Sequence, residues 1–364
     1  MKPSDLTRKA RKIAQREREQ AAIDEQIRAL KGEILGLRKK VVSQETVRQE
    51  IIRLSKATVP QPKWMLDTTT TGKVLGVPTL LASDWHWGEV VDRKQVGGVN
   101  EYNLSIANRR AKSLIENTIK ILRNEFSRKD IPGIVFALGG DMVSGDIHEE
   151  LSRTNEQPIM PVVLNIFGVL SECLEVLADE FGRVFVPCVS GNHSRITHKP
   201  FSKERNHLSF DWLLYSFLAK KYEKDTRLTF RVPEGPNCEW SVYNQRYLLN
   251  HGDEFRGGDG MIGPLGPIIR GDHKKRSKGS QIGAGYDTML LCHFHRYMPL
   301  GDQLIVNGSL VGYSEYANAG NFGFEPPKQA LWITHPERGI TFQMPVLVEE
   351  SKKMDNRPWV SWPE

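Results

Sequence analysis

Several short apolar runs in this sequence end in residues that can bind metal ions. Asp, His and Asn offer oxygen and imidazole ligands, which suit Mn²⁺, Fe²⁺ or Zn²⁺ and differ from the thiolates of a structural zinc site. One such ending could be a capped turn or a satisfied core histidine, but five in one chain favour a shared site. The five are Asp84-Trp85-His86, Gly140-Asp141, Gly191-Asn192-His193, His251-Gly252-Asp253 and His293-Phe294-His295.

A set of ligands this large exceeds the coordination of one ion and suits two ions that share a carboxylate. Two cations roughly 3.5–4 Å apart can clamp a phosphate and ionise a water for in-line attack on it. The residues therefore predict hydrolysis of a phosphate ester at a centre of two divalent metal ions. We expect Mn²⁺, with Fe²⁺, Zn²⁺ and Mg²⁺ as alternatives.

The residues that precede these endings predict the elements that position them. Short runs rich in Val, Leu and Phe are typical of strands buried on both faces, and helical stretches lie between them. This alternation predicts an α/β domain, in which ligand sites lie beyond the carboxyl ends of the strands. The predicted strands are VPTLLAS, GIVFALG, RVFVPCVS, RYLLN and TMLLC, and the predicted helices are LSIANRRAKSLIENTIKILRNEF and PVVLNIFGVLSECLEVLADEF.

In order and spacing, the five segments resemble the motifs D-x-H, G-D, G-N-H, H and G-H-x-H of the calcineurin-like metallophosphoesterases. The resemblance covers about residues 76 to 345 and implies an α/β/β/α sandwich. It implies that Asp141 bridges the two ions and that His193 contacts the phosphate and protonates the leaving oxygen. The other implied ligands are Asp84, His86 and His295 for the first ion, and Asn192, His251 and His293 for the second.

Three positions depart from the family pattern: Ser194 follows G-N-H, Cys292 precedes the last His-x-His, and Ser144 lies three places after Asp141. The acid that usually follows G-N-H is replaced by Ser194, so another group must orient His193. Asp146 is also an alternative to Asp141 as the bridging acid, although Asp141 is closer to its strand. The candidates for orienting His193 are Asp146, His148 and Glu149.

The N-terminal part of the chain is basic. Residues 1–56 carry 15 Lys and Arg against 8 Asp and Glu, whereas the remainder carries 35 against 36. Apolar residues at alternating steps of four and three predict a long helix with a coiled-coil seam. This helix could pair with a second copy or another helical partner through residues 20–55, or pack on the main body. The seam residues are Ile23, Ile27, Leu30, Ile34, Leu37 and Val41.

The sequence predicts four segments and a location. The N-terminus lacks the apolar region of a secretory signal, and no apolar stretch approaches the roughly 20 residues that span a bilayer. Four widely spaced cysteines indicate a reducing compartment, so we expect a cytoplasmic protein without a membrane partner. The segments are a basic coiled-coil arm (1–56), a linker (57–75), the metallophosphoesterase domain (76–345) and a C-terminal tail (346–364).

A second basic region lies between the fourth and fifth segments. Residues 256–287 are rich in glycine and predict a flexible loop whose cations could contact a nucleic-acid backbone or simply be solvated. Trp85 and Trp87 could stack on a base, although Trp85 is better interpreted as a core residue. The cations proposed for nucleic-acid binding are Arg270, Lys274, Lys275, Arg276 and Lys278.

Three functions are compatible with these patterns. The first is a metal-dependent phosphodiesterase that acts as an exo- or endonuclease on DNA, loosely similar to the DNA-repair nucleases of the family. The second is a small-molecule phosphoesterase for nucleotides or cyclic nucleotides. The third is a binding protein with a vestigial metal site. The complete ligand set favours an enzyme, and the basic arm and loop favour the nuclease.

Overall fold

A computed structural model describes residues 25–26, 28, 31–32, 60–68, 75–126, 130–255 and 263–349. The chain divides into two units, Met1–Lys56 and Ala57–Glu364, and the elements below belong to the second. The six predicted seam residues of the basic arm, most of its predicted long helix, and the predicted C-terminal tail beyond residue 349 lie outside the described residues.

Strands and helices alternate along the described chain. The strands are β1 (Val77–Ala82), β2 (Ile134–Leu138), β3 (Val184–Pro187), β4 (Leu228–Arg231), β5 (Asn237–Val242), β6 (Gln245–Asn250), β7 (Thr288–Leu291), β8 (Met298–Leu300), β9 (Leu304–Val306), β10 (Lys328–His335) and β11 (Gly339–Leu347). The α-helices are α1 (Leu104–Lys120), α2 (Glu149–Thr154), α3 (Ile159–Phe181), α4 (Phe210–Lys221), α5 (Leu265–Ile282) and α6 (Glu315–Ala319). All five predicted strands and both predicted helices are therefore present.

The strands form two mixed sheets. The first has the order β11-β10-β1-β2-β3-β4. Strands β1 to β4 are parallel to one another, whereas β10 is antiparallel to both of its neighbours, β1 and β11. The second has the order β5-β6-β7-β9-β8, in which the three central strands are parallel. Every residue of β1, β2, β3 and β7 is buried, as their uninterrupted apolar sequences predict. The predicted α/β fold is confirmed, and both of its sheets are mixed.

Alternate residues of the central strands face different layers of the core. Leu80 of β1 packs in a cluster with the helices α1, α3 and α4, while Leu81 packs in the cluster between the two sheets. In β7, Leu290 faces the layer between the sheets, and Leu291 packs with Ile268 of α5 on the outer side. The resulting layer order is helices, first sheet, second sheet, helix.

The helix α3 corrects the expectation that no apolar stretch approaches the length that spans a bilayer. Among the described residues it alone is long and apolar enough to cross a membrane, judged by length and composition. Its buried face, which includes Val162, Ile166 and Leu170, lies in the core cluster of the first sheet. Its other face exposes Met160 and Leu164. The sequence expectation about apolar length was wrong because α3 is apolar on its exposed face as well as on its buried face, so its mean hydropathy reaches that of a membrane span.

The glycine-rich region at residues 256–287 also differs from the prediction. Instead of a flexible loop, most of it is the helix α5, which starts after Pro264 and ends at Gly283 in the left-handed conformation. Its glycines serve close packing. A Cβ on Gly271 would lie 2.6 Å from the ring of Phe255, and one on Gly279 would lie 2.1 Å from the carbonyl oxygen of Ala284.

Candidate metal centre

The two sheets bring the five predicted segments together beyond the carboxyl ends of their parallel strands. Asp84 and His86 follow β1, and Asp141 follows β2. A hydrogen bond joins the two sheets here, because the backbone N–H of His293, just after β7, donates to the Asp84 carboxylate at 3.1 Å. The remaining segments are Asn192-His193 after β3 and His251 after β6.

The side chains form three overlapping groups that could hold metal ions. In each group the potential ligand atoms lie within 4.8 Å of one another. Asn192 joins the third group, because its Oδ1 atom lies 3.2 Å from Nε2 of His251. All seven sequence-predicted ligands and His193 thus share one site. The groups are Asp84-His86-His295, His86-Asp141-His193 and Asp141-His251-His293.

Asp141 lies between the groups. One carboxylate oxygen, Oδ2, is 2.9 Å from Nε2 of His251. The other, Oδ1, accepts the backbone N–H of His193 at 2.6 Å. Asp141 belongs to two of the three groups, and the other predicted candidate for a bridging acid, Asp146, is exposed and belongs to none of them.

The Nε2 atom of His251 faces two oxygen atoms, and either a proton or a metal ion must lie between them and the nitrogen. The Nδ1 atom of His251 lies 2.9 Å from the carbonyl oxygen of Gly139, which can only accept, so Nδ1 carries the hydrogen. A neutral His251 then directs its Nε2 lone pair at oxygens of Asp141 and Asn192. Burial lowers the pKa of His251, but the Asp141 carboxylate outweighs burial and holds this pKa well above its usual range. A proton or a metal ion satisfies the same geometry.

The first group shows the same arrangement. The Nε2 atoms of His86 and His295 lie 3.1 Å apart, and Nε2 of His295 lies 3.3 Å from Oδ1 of Asp84. Two imidazole nitrogens and a carboxylate oxygen therefore converge on one point. This donor set fits a divalent cation of the Mn²⁺, Fe²⁺ or Zn²⁺ type.

Backbone strain is concentrated in these segments. Among the described residues, eight non-glycine residues have a positive φ, and five of them are candidate ligands. Each such conformation costs on the order of 1–3 kcal/mol and persists only where the surroundings impose it, which is typical of functional sites. The five are Asp84 (53°), His86 (46°), Asp141 (50°), His293 (67°) and His295 (51°).

Two glycines let the ligand-bearing turns approach each other. Gly140 has a φ of 89°, and a Cβ there would lie 2.4 Å from the backbone nitrogen of Gly191. A Cβ on Gly191 would lie 2.1 Å from Oδ1 of Asp141. The glycine of each motif is therefore required by contact with the other motif.

Asp211, in the first turn of α4, was not predicted from the sequence. Its buried carboxylate accepts three backbone N–H groups of the two turns: those of Asp141 (2.9 Å), Met142 (3.2 Å) and Gly191 (3.0 Å). Burial, and then the charge of Asp141, raise the pKa of Asp211 to about 6. Ser194, which stands where the family has an acid, instead shares a hydrogen bond of 2.8 Å with Ser209. Asp211 thus holds together the backbone turns that carry Asp141 and Gly191.

Glu89 was also missed by the sequence interpretation. Its Oε2 atom lies 3.2 Å from Nδ1 of His86, on the side of the ring that faces away from His295. Burial lowers the pKa of His86, but Glu89 outweighs burial and raises this pKa to about 9. Such a partner fixes the ring so that Nε2 points into the site. The sequence feature that could have indicated this pair is the position of Glu89 three residues after His86.

His193 has no carboxylate partner within the described part of the chain, and its buried Nδ1 is unpaired there. Of the three candidates to orient it, only His148 is in contact, with ring centroids 5.5 Å apart. Glu149 instead pairs with Arg153. Burial lowers the pKa of His193 to about 3, so its imidazole is neutral near pH 7.

The basic residues of α5 fall into two classes. Lys275 pairs with Glu254 at 2.6 Å, and Arg276 binds Asp272 at 2.8 Å together with three backbone carbonyls. These two cations hold α5 in place. The other three are exposed and recur every four residues along one helix face, Arg270, Lys274 and Lys278.

The two tryptophans of the first segment are core residues. Trp85 and Trp87 are completely buried, with ring centroids 5.9 Å apart. Nε1 of Trp87 donates to Asn165 at 2.7 Å. Neither ring can stack on a base, and the interpretation of Trp85 as core is confirmed.

Comparisons with known proteins add little to this geometry. No family model matches the chain, and no curated protein matches it. One solved structure that the comparison matched is the sulfate thiohydrolase SoxB of Thermus thermophilus in complex with glycerol. The match has 12% sequence identity and a TM-score of 0.29, and covers 77% of this chain and 58% of that one. The chain thus spans little more than half the length of that protein.

Proposed function

We propose that this protein is a metal-dependent phosphoesterase with two divalent ions at the site described. The observation that supports this most directly is the position of Asp141, whose carboxylate belongs to two groups of potential ligands. In this proposal Asp141 contributes to both ions. The other ligands are Asp84, His86 and His295 for the first ion, and Asn192, His251 and His293 for the second.

The charge of the ligand set favours an anionic substrate. Divalent ions in such a site act as Lewis acids on a phosphoryl oxygen and lower the pKa of water. Only two of the seven ligands, Asp84 and Asp141, are carboxylates, and neutral histidines and an asparagine add no charge. The carboxylates therefore neutralise the two cations only in part, which leaves a centre that attracts phosphate.

In this proposal His193 contacts that phosphate. Its ring lies edge-on to His86, with centroids 4.6 Å apart, and it shares a potential ligand group with His86 and Asp141. A neutral imidazole donates one N–H hydrogen bond, and the negative charge of a phosphate favours the protonated form. We assign His193 the contact with a phosphoryl oxygen and the transfer of a proton to the leaving oxygen.

We propose DNA as the substrate and Mn²⁺ as the metal. The excess of cations in residues 1–56 and the exposed stripe of Arg270, Lys274 and Lys278 on α5 support a polyanionic partner. The coiled-coil seam supports self-association or a helical partner, and the sparse cysteines support a cytoplasmic location.

A small phosphodiester, such as a nucleotide or a cyclic nucleotide, is the second candidate substrate. It is favoured by the structural use of Lys275 and Arg276, which reduces the basic surface available to a polymer. The deciding experiment incubates the full-length protein and Mn²⁺ with labelled single- and double-stranded DNA and with bis(p-nitrophenyl) phosphate. Cleavage of DNA supports the nuclease. Intact DNA with turnover of the small diester supports the second candidate, and no turnover of any phosphodiester contradicts both.

A further inference from the structure

The segment that follows β9 exposes large aromatic side chains. Tyr316 is 78% exposed, and Phe322 and Phe324 are each 54% exposed. The rings stand in two contacting pairs, Tyr316 with Phe322 and Tyr313 with Phe324, each with centroids 5.8 Å apart. These four residues are named the aromatic rim. A folded protein seldom exposes so many rings together unless they bind something.

Hydrogen bonds anchor both ends of the segment that carries the aromatic rim next to the candidate metal centre. The segment starts at Leu310, whose N–H donates to the carbonyl oxygen of Asp84 at 3.1 Å. It ends at Glu325, whose Oε1 accepts the N–H of Tyr297, two residues after His295, at 3.1 Å. The rim therefore lies on a segment tied at both ends to backbone next to ligands of the first group.

The middle of this segment is hydrogen-bonded to a loop, residues 90–103, that carries two cations, Arg93 and Lys94, and two acids, Asp92 and Glu101. Glu315 accepts the N–H of Asp92 at 2.7 Å, and Asn318 donates to the carbonyl oxygen of Gln95 at 3.0 Å. The loop exposes Arg93 and Lys94, which line a shallow groove that runs from Val90 to Asn103. The segment that carries the rings is thus bonded both to the loop that carries Arg93 and Lys94 and to backbone next to ligands of the candidate metal centre.

We propose that the aromatic rim stacks on unpaired bases of a nucleic-acid strand whose phosphates pass the metal centre and the Arg93-Lys94 loop. The inference rests on the proposed function and names the substrate as single-stranded or locally unpaired nucleic acid. Every base has a face that can stack on Tyr or Phe, and cations beside the rings bind the connecting phosphates. An unmodified protein partner carries no phosphate that could bind at the metal centre, whereas a nucleic-acid strand does.

The test measures strand binding by the full-length protein in EDTA, where no metal-dependent hydrolysis takes place. Fluorescence anisotropy compares a labelled single strand of thymidines with an abasic strand of the same length and phosphate count. We expect tighter binding of the strand with bases. For the double variant Tyr316→Ala with Phe322→Ala, the Kd of that strand rises about tenfold or more, and the Kd of the abasic strand is unchanged.

A matched variant keeps the rings and alters only the hydroxyl groups. Tyr316→Phe with Phe322→Tyr should bind both strands as the unaltered protein does, and Leu164→Ala, at another exposed apolar residue, should do the same. Equal binding of the two strands by the unaltered protein overturns the inference. So does normal binding of the base-bearing strand by the alanine variant.

The proposed function is tested separately by turnover of bis(p-nitrophenyl) phosphate by the unaltered protein. Turnover with no base-dependent binding overturns this inference alone. Ring-dependent strand binding without any turnover supports the aromatic rim as a nucleic-acid surface and overturns the proposed hydrolysis.

Discussion

The carboxylate of Asp211 accepts the backbone N–H of Asp141 at 2.9 Å, although the two residues are 70 positions apart. Two further N–H groups, those of Met142 and Gly191, donate to the same carboxylate. One buried side chain from α4 therefore holds together the turns that follow β2 and β3. The candidate metal centre depends on this contact as well as on its ligands.

Asp211→Ala is expected to leave three buried N–H groups without an acceptor. Each unsatisfied buried group costs about 1–3 kcal/mol, so the free energy of unfolding should fall by at least about 3 kcal/mol. The bound metal per chain should fall as well, because Asp141 loses its support. Urea unfolding and elemental analysis measure the two effects. Asp179→Ala, which removes a 73% exposed acid from a surface ion pair, is the control and should change neither. An Asp211→Ala protein as stable as the control contradicts the assignment.

Gly191→Ala is expected to abolish metal binding. The added Cβ would lie 2.1 Å from Oδ1 of Asp141, so either this carboxylate or the backbone must move. Gly168→Ala in α3 is the matched control, since nothing lies within 4 Å of its Cβ and alanine favours a helix. Isothermal titration with Mn²⁺ should detect two ions in the control and none in Gly191→Ala. An equal number of bound Mn²⁺ ions in both proteins would show that the turn accommodates the added Cβ and would contradict the prediction.

Metal affinity should rise with pH between about 7 and 9. Metal ligation requires neutral histidines, and the pKa of His86 is raised to about 9 in the metal-free protein, against burial and chiefly by Glu89. Below that pKa a proton must leave before the ion binds, so lower pH weakens binding and higher pH strengthens it. Titrations with Mn²⁺ at pH 7, 8 and 9 measure the trend. In Glu89→Gln the trend should be shallower, because the carboxylate that raises this pKa is absent. A flat profile in the unaltered protein contradicts the prediction.

Replacing Arg270, Lys274 and Lys278 with Gln should weaken DNA binding without loss of stability, because the three side chains are exposed. If each contacts one phosphate, the slope of log affinity against log salt should become shallower by about 3. Arg276→Gln should instead lower the unfolding midpoint, because it removes a contact with Asp272 and bonds to three carbonyls. An unchanged salt slope in the triple variant would place the DNA contact elsewhere.

The sequence was informative where strand and ligand are adjacent. Asp84 and His293 could be assigned because each directly follows an apolar run, and parallel strands of one domain end on the same side. Asp211 could not be assigned, because its role comes from α4 packing against turns distant in the chain. Glu89 was close in sequence to His86, but its role became visible only with the direction of the ring.

The glycine content explains why a flexible loop was predicted where the structure has the helix α5. Its glycines suggested flexibility, but Gly271 is needed for contact with Phe255, and the helix is positioned by Arg276 and the apolar Ile268. Composition cannot distinguish a glycine that loosens the chain from one that allows close packing. The coiled-coil seam of residues 20–55 remains a prediction, which sedimentation of the full-length protein can test.

The most direct test of the central claim is a crystal structure of the full-length protein soaked with Mn²⁺, with anomalous diffraction measured at the manganese edge. We predict two anomalous peaks roughly 3.5–4 Å apart, with the carboxylate of Asp141 in contact with both. A single peak, or two peaks in sites that do not share Asp141, would contradict the claim that this residue bridges two metal ions.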